Sequence, residues 1–153
     1  MTDERPLSPS ESAGLPAWIA GGLVVADALD GWVQCGVDLV EVERIEKATS
    51  RWGARFLDRV WTDREQTICA GRSQALAARF AGKEAAAKAL GTGLPNHNWL
   101  EIEILRDKMG KPLVFLHGSA KERALQIGIT SLAVSLSHTR TMACGMVVAY
   151  LRK

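Results

Sequence analysis

Three cysteines, three histidines and a net charge of only +2 are the scarcities that frame this chain of 153 residues. Cys35, Cys69 and Cys144 are odd in number, widely spaced and never in a C-x-x-C pair. That excludes a disulfide framework and reads as core cysteines of a reducing cytoplasm. His97, His117 and His138 are equally scattered, so no zinc-like His/Cys spacing exists. The near-neutral charge excludes a global pull toward nucleic acid or a membrane surface, and any electrostatic recognition must come from a local patch. Long apolar runs are also missing. The most apolar early stretch, residues 18–29, carries Asp27 and two glycines and falls short of the roughly 20 residues a membrane helix needs. Asp3 and Glu4 stand ahead of it in place of basic residues, so no secretory leader is expected. There is no internal repeat, no Walker loop and no Gly-x-Ser-x-Gly elbow.

What is present is an ordinary globular composition, 47% apolar and 24% charged, in a length that suits one domain and buries a core without staples. Residues 1–31 stand apart. Pro6, Pro9 and Pro16 with Ser8, Ser10 and Ser12 mark an irregular extension without an assigned role. Within it, residues 15–29 form a short apolar helix or stay loosely attached. The remaining residues, 32–153, read as the domain.

Alternation of Val33, Cys35, Val37 and Leu39 with Gln34, Gly36 and Asp38 predicts a strand over 32–40. A helix over about 41–52 follows, with the stripe Val42, Ile45, Thr49 and Trp52 and a stop at Gly53. Thr62-Asp63-Arg64-Glu65 has the form of a capping box opening a short helix that ends near Gly71. Residues 73–90 carry the longest helical signal, with Leu76, Phe80, Ala87 and Leu90 on one face and Gly91 and Gly93 at its end. Leu100, Ile102 and Ile104 alternate with Glu101 and Glu103 in a half-buried strand. A turn at 107–110 returns it through 112–116 as a hairpin. Ser119-Ala120-Lys121-Glu122 reads as a second capping box, closed by Gly128, and strands over 132–138 and 142–151 end the chain. The order β-α-α-α-β-β-α-β-β favours an α+β fold, a mostly antiparallel sheet packed with helices.

Four places carry chemistry-bearing residues, each with two readings. Asp38 sits on a strand otherwise made of Val, Gly, Leu and Cys: a strand-end acid, or a metal ligand. Glu84 and Lys88, four apart on one helix face, make a surface ion pair or part of a site. Lys83 lies within the span of the apolar stripe, where a lysine either snorkels to solvent or serves a ligand, and Arg79 is four residues before it. The loop Gly91-Thr92-Gly93 has little bulk, so it is a plain helix end or a place where a ligand meets the backbone. His138 has the parity of Leu132, Val134 and Leu136 and stands at the rim of the core. Arg44, Lys47 and Arg51 form a basic stripe, extended by Arg55 and Arg59, that is a solvated face or a dock for an acidic partner helix.

The order of these pieces resembles the holo-acyl-carrier-protein synthase family. Gly36-Val37-Asp38-Leu39-Val40-Glu41-Val42-Glu43-Arg44-Ile45 is similar to its opening motif, and Phe56-Leu57-Asp58-Arg59-Val60-Trp61-Thr62 with Glu65 to its next block. Arg79-Phe80-Ala81-Gly82-Lys83-Glu84-Ala85 through Lys88-Ala89-Leu90-Gly91-Thr92-Gly93 is similar to its signature helix. Gly110-Lys111-Pro112 and Ser135-Leu136-Ser137-His138-Thr139 match its later motifs. The resemblance runs over about 32–151. It implies a 4′-phosphopantetheinyl transferase-like fold and transfer of 4′-phosphopantetheine from coenzyme A to a carrier-protein serine, releasing adenosine 3′,5′-bisphosphate. It implies Mg2+ on Asp38 and Glu84, a hard cation that takes one or two carboxylates plus phosphate oxygens. Lys88 would add positive charge on the phosphates, and Arg79 and Lys83 would help hold the nucleotide. Gly91, Thr92 and Pro112 would line the coenzyme cleft, and His138 would meet the 3′-phosphate side. The serine proton would pass to a metal-bound water or to Glu84. Arg44, with Lys47 and Arg51, would meet the acidic acyl carrier protein. Short members of the family assemble as trimers with the cleft between subunits, so a homotrimer in the cytoplasm is implied. Two features depart from the pattern: the thirty-odd residues before the first strand, and Arg140-Thr141-Met142 where relatives carry an acidic or aromatic residue. A non-catalytic carrier-binding module of this fold would lack one of Asp38, Glu84 and Lys88, and all three are present. An enzyme acting on another pyrophosphate is the alternative in the same chemistry, separable by titrating coenzyme A against ATP.

Overall fold

The computed structural model describes residues 31–93 and 98–152. The apolar stretch expected at 15–29 lies outside them, as do residues 94–97. Strand β1 (Gly31–Glu41) runs straight into helix α1 (Val42–Trp52). Two seven-residue helices follow, α2 (Ala54–Val60) and α3 (Asp63–Cys69), and then the long helix α4 (Ser73–Ala89). A 3-10 turn (Trp99–Glu101) leads into the hairpin of β2 (Ile102–Arg106) and β3 (Pro112–Leu116). Helix α5 (Gly118–Gln126) precedes the last two strands, β4 (Ile129–His138) and β5 (Met142–Arg152). The strands form a three-stranded antiparallel sheet in the order β1-β5-β4 and a separate two-stranded sheet, β2-β3. The α+β reading with antiparallel pairing therefore holds. Helix α2 is an addition that the sequence pattern did not announce, being too short to show a period.

Helix α4 is the axis of the fold. It packs on β1 and β5 and also touches β4, β2, α1 and α3. The predicted single apolar face is too modest. Buried residues run all around it, including Ala77, Ala81, Ala85 and Ala87 at 0% exposure, as expected of a helix with elements on several sides. Glycine makes the approach to the sheet close. A Cβ at Gly36 would lie 2.0 Å from the Ala85 carbonyl oxygen, and one at Gly145 would lie 2.3 Å from the Gly82 nitrogen. The helix backbone therefore rests on the strands with no side chain between them.

That close seat reverses the expected burial of β1. The side facing α4 is the row of Gly36, Asp38 and Val40, while Val33, Val37 and Leu39 point outward at 54%, 58% and 63% exposure. Of the cysteines, none of which is in a disulfide, only Cys69 is buried. Cys35 is exposed and Cys144 half-buried, so the core reading holds for one of three. Two buried clusters meet along α4. One gathers Ile45, Val60, Trp61, Leu76 and Phe80, the other Leu90, Ile102, Val147 and Ala149. Ile45 and Phe80 each contribute roughly 1.5–3 kcal/mol by leaving water.

The capping signals divide. At Thr62 the capping box forms as read: Glu65 N donates to Thr62 Oγ1 and Thr62 N to Glu65 Oε2. The second box does not form. Helix α5 starts at Gly118, and Glu101 of the 3-10 turn accepts from Ser119 Oγ at 2.6 Å and from Ala120 N at 3.2 Å. A carboxylate from a neighbouring element thus caps α5, which no local pattern encodes. Strand β2 also departs from the half-buried reading. Glu103 is buried along with Ile102 and Ile104. It accepts from Thr62 Oγ1 at 2.7 Å, pairs with Arg64 and meets His117 Nε2 at 3.2 Å. Burial alone would push the Glu103 carboxyl up, but the bonds from Thr62, Arg64 and His117 outweigh it and hold the group below the usual range.

Candidate active site

At the end of β1, the close seat of α4 brings Asp38 against the last turns of the helix. Lys88 Nζ donates to Asp38 Oδ1 at 2.8 Å and to the Val37 carbonyl oxygen at 2.8 Å. Asp38 keeps little surface and Lys88 about half of its own, with side-chain exposures of 19% and 49%. Glu84, one turn before Lys88, is half-buried beside them. Burial first, and the Asp38 charge second, hold the Glu84 carboxyl above its usual range, while Lys88 and Arg44 pull it the other way. Two carboxylates and two cations thus act on one another at a single corner of the fold. The pair Glu84–Lys88 expected from i,i+4 spacing is outdone by a bond across to β1, fifty residues away in the chain. Two acids pressed together raise each other's cost of ionisation, and a shared cation relieves it. Among the described residues no group of three or more His, Cys, Asp and Glu is gathered. A pair of carboxylates fits a hard divalent cation whose other ligands are water and phosphate oxygens.

Beside α4, where Arg44 lies over Phe80, opens a cavity of about 350 Å³ lined by Arg44, Ile45, Ala48, Phe56, Arg59, Val60, Phe80 and Trp99. The Arg44 guanidinium lies 5.9 Å above the Phe80 ring, and Phe80 stacks on Trp99 at 4.6 Å. The wall is aromatic and both charged members are arginines.

The profile of the 4′-phosphopantetheinyl transferase superfamily matches residues 34–143. The chain belongs to that superfamily. It is 52% identical over 120 residues to a holo-[acyl-carrier-protein] synthase of Herpetosiphon aurantiacus, covering 74% of this chain and 94% of that protein. It is 50% identical over 131 residues to the synthase of Chloroflexus aurantiacus, covering 75% and 96%. The fold is similar to that of the Helicobacter pylori synthase in complex with coenzyme A, with a TM-score of 0.69 and 35% identity over 75% of this chain and 98% of that one. It is also similar to a Plasmodium yoelii acyl carrier protein synthase with ADP bound, with a TM-score of 0.71 and 28% identity over 78% and 96%.

Against the superfamily motifs, the expected site residues separate into groups. Asp38, Glu84 and Lys88 come together at one corner. His138 ends β4 on the face that Asp38 occupies: Val40 pairs with Ala143 and Ala143 with His138, one row on from Asp38–Gly145–Leu136. It is exposed, two strands and roughly 10 Å away. Gly91 and Thr92 close α4 one turn beyond Lys88. Gly91 has a positive φ of 71°, and the Gly91 and Thr92 amides donate to the Lys88 and Ala87 carbonyls at 3.0 and 3.2 Å. Pro112 opens β3 opposite Arg106, at the turn end of the second sheet and not on the sheet that carries Asp38.

Lys83 requires a correction. It neither snorkels nor reaches a nucleotide. At 0% exposure its Nζ donates to the Val60 carbonyl at 2.6 Å, to Glu65 Oε2 at 2.7 Å and to the Trp99 carbonyl at 3.0 Å. An ammonium has three donors, and all three are used inside the core. Burial pulls its amine below the usual lysine range, against Glu65, which raises it. Arg79 is 8% exposed, with Nε on the Ile104 carbonyl at 3.0 Å and Nη1 on the Ala75 carbonyl at 3.3 Å. Within one chain it holds β2 to α4.

The basic stripe also divides. Arg44 lines the cavity. Lys47 pairs with Glu43 of its own helix at 2.9 Å, and that bond raises its amine. Arg51 stacks on Trp52 at 4.9 Å, and Trp52, expected in the buried stripe, is exposed. In the sequence Phe80 reads as part of the apolar face and Phe56 as part of a family motif, but nothing there tells that they meet Trp99 around one cavity, because the three come from separate elements.

Proposed function

We infer that this chain is a holo-acyl-carrier-protein synthase. It transfers 4′-phosphopantetheine from coenzyme A to a serine of an apo acyl carrier protein. The serine oxygen forms a bond to the phosphorus on the pantetheine side, the pyrophosphate bridge breaks, and adenosine 3′,5′-bisphosphate leaves. The observation that carries this reading is the convergence of Asp38, Glu84 and Lys88 at one corner, in a chain half identical to synthases along almost their whole length.

Magnesium would be held by Asp38 and Glu84, whose mutual repulsion supports the fit. When bound, such an ion neutralises pyrophosphate charge and stabilises the charge that develops on the leaving phosphate. Lys88, already beside Asp38, adds positive charge at the same place. His138, Gly91, Thr92, Pro112 and Arg79 are proposed for the coenzyme cleft. Because Pro112 stands on the second sheet, a cleft completed by a neighbouring copy accommodates it, and this supports the trimer that the family resemblance implies. The exposed apolar row Val33, Cys35, Val37 and Leu39, with Met146 beside it, is the face such a trimer would cover. Arg44, supported by Lys47, Arg51 and Arg59, would meet the carrier's carboxylates over the aromatic cavity. No helix among the described residues is long and apolar enough to cross a membrane, and a cytoplasmic location agrees with the free thiols. The domain begins with Gly31, the first residue of β1, and the residues before it are proposed as an extension.

The test is a mass spectrum of an apo acyl carrier protein after incubation with this protein, coenzyme A and magnesium, with an EDTA control. Gain of one phosphopantetheine unit, only with metal, is expected. No gain with any of several apo carriers and a folded protein would leave a carrier-binding module instead. Charge reversal in Arg44→Glu should weaken carrier binding and spare coenzyme A binding, and loss of both would remove Arg44 from the docking role.

A further inference from the structure

The chemistry proposed above leaves the most deeply buried charges of the molecule without a task. Lys83 and Glu65 are both fully buried, paired at 2.7 Å. Four hydrogen bonds converge on the pair. Lys83 Nζ holds the Val60 and Trp99 carbonyls. Glu65 Oε1 accepts from Ile104 N at 2.9 Å, and Oε2 accepts from Thr62 N at 2.9 Å. The pair therefore joins the end of α2, the start of α3, the 3-10 turn and β2 to the middle of α4.

These attachment points are not random parts of the fold. Val60 and Trp99 both line the Arg44–Phe80 cavity. Phe80, three residues before Lys83 and so on the same side of α4, forms the stack with Trp99. Val60 is the last residue of a seven-residue helix and Trp99 the first of a three-residue turn. The Val60 carbonyl, at the end of α2, lacks an intrahelical partner, the Trp99 carbonyl also accepts from Ile102 N within its turn, and neither residue belongs to a strand ladder. Among the described residues, the cation that bonds to both carbonyls is Lys83. A buried ion pair is not a strong source of net stability compared with apolar residues of the same shape. Directed bonds fix positions where apolar contact does not.

We propose that the Lys83–Glu65 pair is a positioning device for carrier-protein docking, holding two walls of the Arg44–Phe80 cavity, Val60 and Trp99, at a fixed spacing from α4. The proposal rests on the reading that this cavity receives the carrier. Lys83 spends its donors in the core, and its neighbour Glu84 lies under the charges of both Asp38 and Arg44, so the docking cavity and the phosphate chemistry adjoin along one turn of α4. The pair touches no substrate and acts through Val60 and Trp99.

The test compares Lys83→Met, which keeps the length and removes the donors, with Lys83→Met/Glu65→Gln, which also removes the charge left without a partner. Steady-state kinetics are run with the apo carrier varied at saturating coenzyme A, and the reverse, on protein shown to be folded by near-UV circular dichroism. The double variant is expected to recover folding relative to the single one, yet to show the carrier KM raised about tenfold or more, as small misplacements do, with the coenzyme A KM within about twofold. Glu65→Gln alone, which keeps an oxygen for Ile104 N, is the milder variant if both others fail to fold, and the same split is expected of it. A folded variant with an unchanged carrier KM, or with both KM values raised together, would overturn the proposal. Arg44→Glu run alongside separates the two ideas: an unchanged carrier KM there removes the docking reading, whereas a raised one with no effect of the pair removes the clamp alone.

Discussion

Lys83 and Lys88 lie five residues apart on one helix and live in different physical worlds. Lys83 faces α2, α3 and the 3-10 turn, has no exposed surface and gives all its donors to core acceptors. Lys88 faces the end of β1, keeps about half of its surface and shares its charge with two carboxylates that repel one another. The acids compare in the same way. Glu65 is saturated by Lys83, Ile104 N and Thr62 N, while Glu84 is held above its usual range by burial and by Asp38. A helix can thus carry a finished polar core on one side and an unfinished one on the other. On the unfinished side two carboxylates still oppose one another.

This contrast can be broken or sharpened by substitution. The largest effect on folding is expected on the finished side. Lys83→Met leaves Glu65 charged and without its cation, and should lower stability by roughly 3–5 kcal/mol in urea melts; a loss near zero would show that the pair is not closed to solvent. On the unfinished side, Asp38→Ala and Glu84→Ala should each reduce kcat by about 10²–10³-fold while the melting temperature stays close to that of the parent chain. A folded Glu84→Ala enzyme with a near-normal rate would place the chemistry elsewhere.

Between the two sides lies the contact that brings them to the sheet. In Gly36→Ala the new carbon would meet the Ala85 carbonyl oxygen at 2.0 Å, with backbone on both partners. Helix and strand must part, at a cost of about 1–3 kcal/mol. Activity should fall more than the melting temperature suggests, because Asp38 and Lys88 separate with them; an intact rate in a destabilised variant would uncouple the site from the seat of α4.

A smaller effect is expected at Glu103. Its carboxyl is held below the usual range in the folded chain, so its contribution is present above the unfolded value and lost as pH falls. Glu103→Gln should therefore cost about 1–2 kcal/mol at neutral pH, with the gap to the parent closing below roughly pH 4. A gap independent of pH would mean that packing and not charge is at stake. The smallest effect belongs to Lys47→Ala. The pair with Glu43 is open to water, and no measurable shift in melting temperature is expected; a clear loss would reveal a partner beyond Glu43.

Much of the architecture was legible along the chain. Alternation marked β1, β4, β5 and the β2–β3 hairpin, and the Thr62 capping box formed as read. Helix α2 was not legible, because seven residues make barely two turns. The cap of α5 was misassigned because its acceptor, Glu101, comes from another element. Glu103 was placed on a wet face by alternation, yet Thr62, Arg64 and His117 enclose it. From one helical motif, Lys88 was read as a phosphate contact and Lys83 as a support for the nucleotide. Only the elements packed on either side of α4 told them apart.

By itself, the order of residues determined which segments become strands and helices, since periodicity and helix stops are local properties. Through motif resemblance it also named Asp38, Glu84 and Lys88 as a group. The tertiary structure decided which row of β1 faces inward, because Gly36 and Gly145 let the backbone of α4 come so near that small and polar residues fill the seat and the apolar row is left outside. It also decided the fate of each charge. Desolvation and pairing depend on what surrounds a group in three dimensions, and for Lys83, Glu65 and Glu103 the surroundings come from residues far away in the chain.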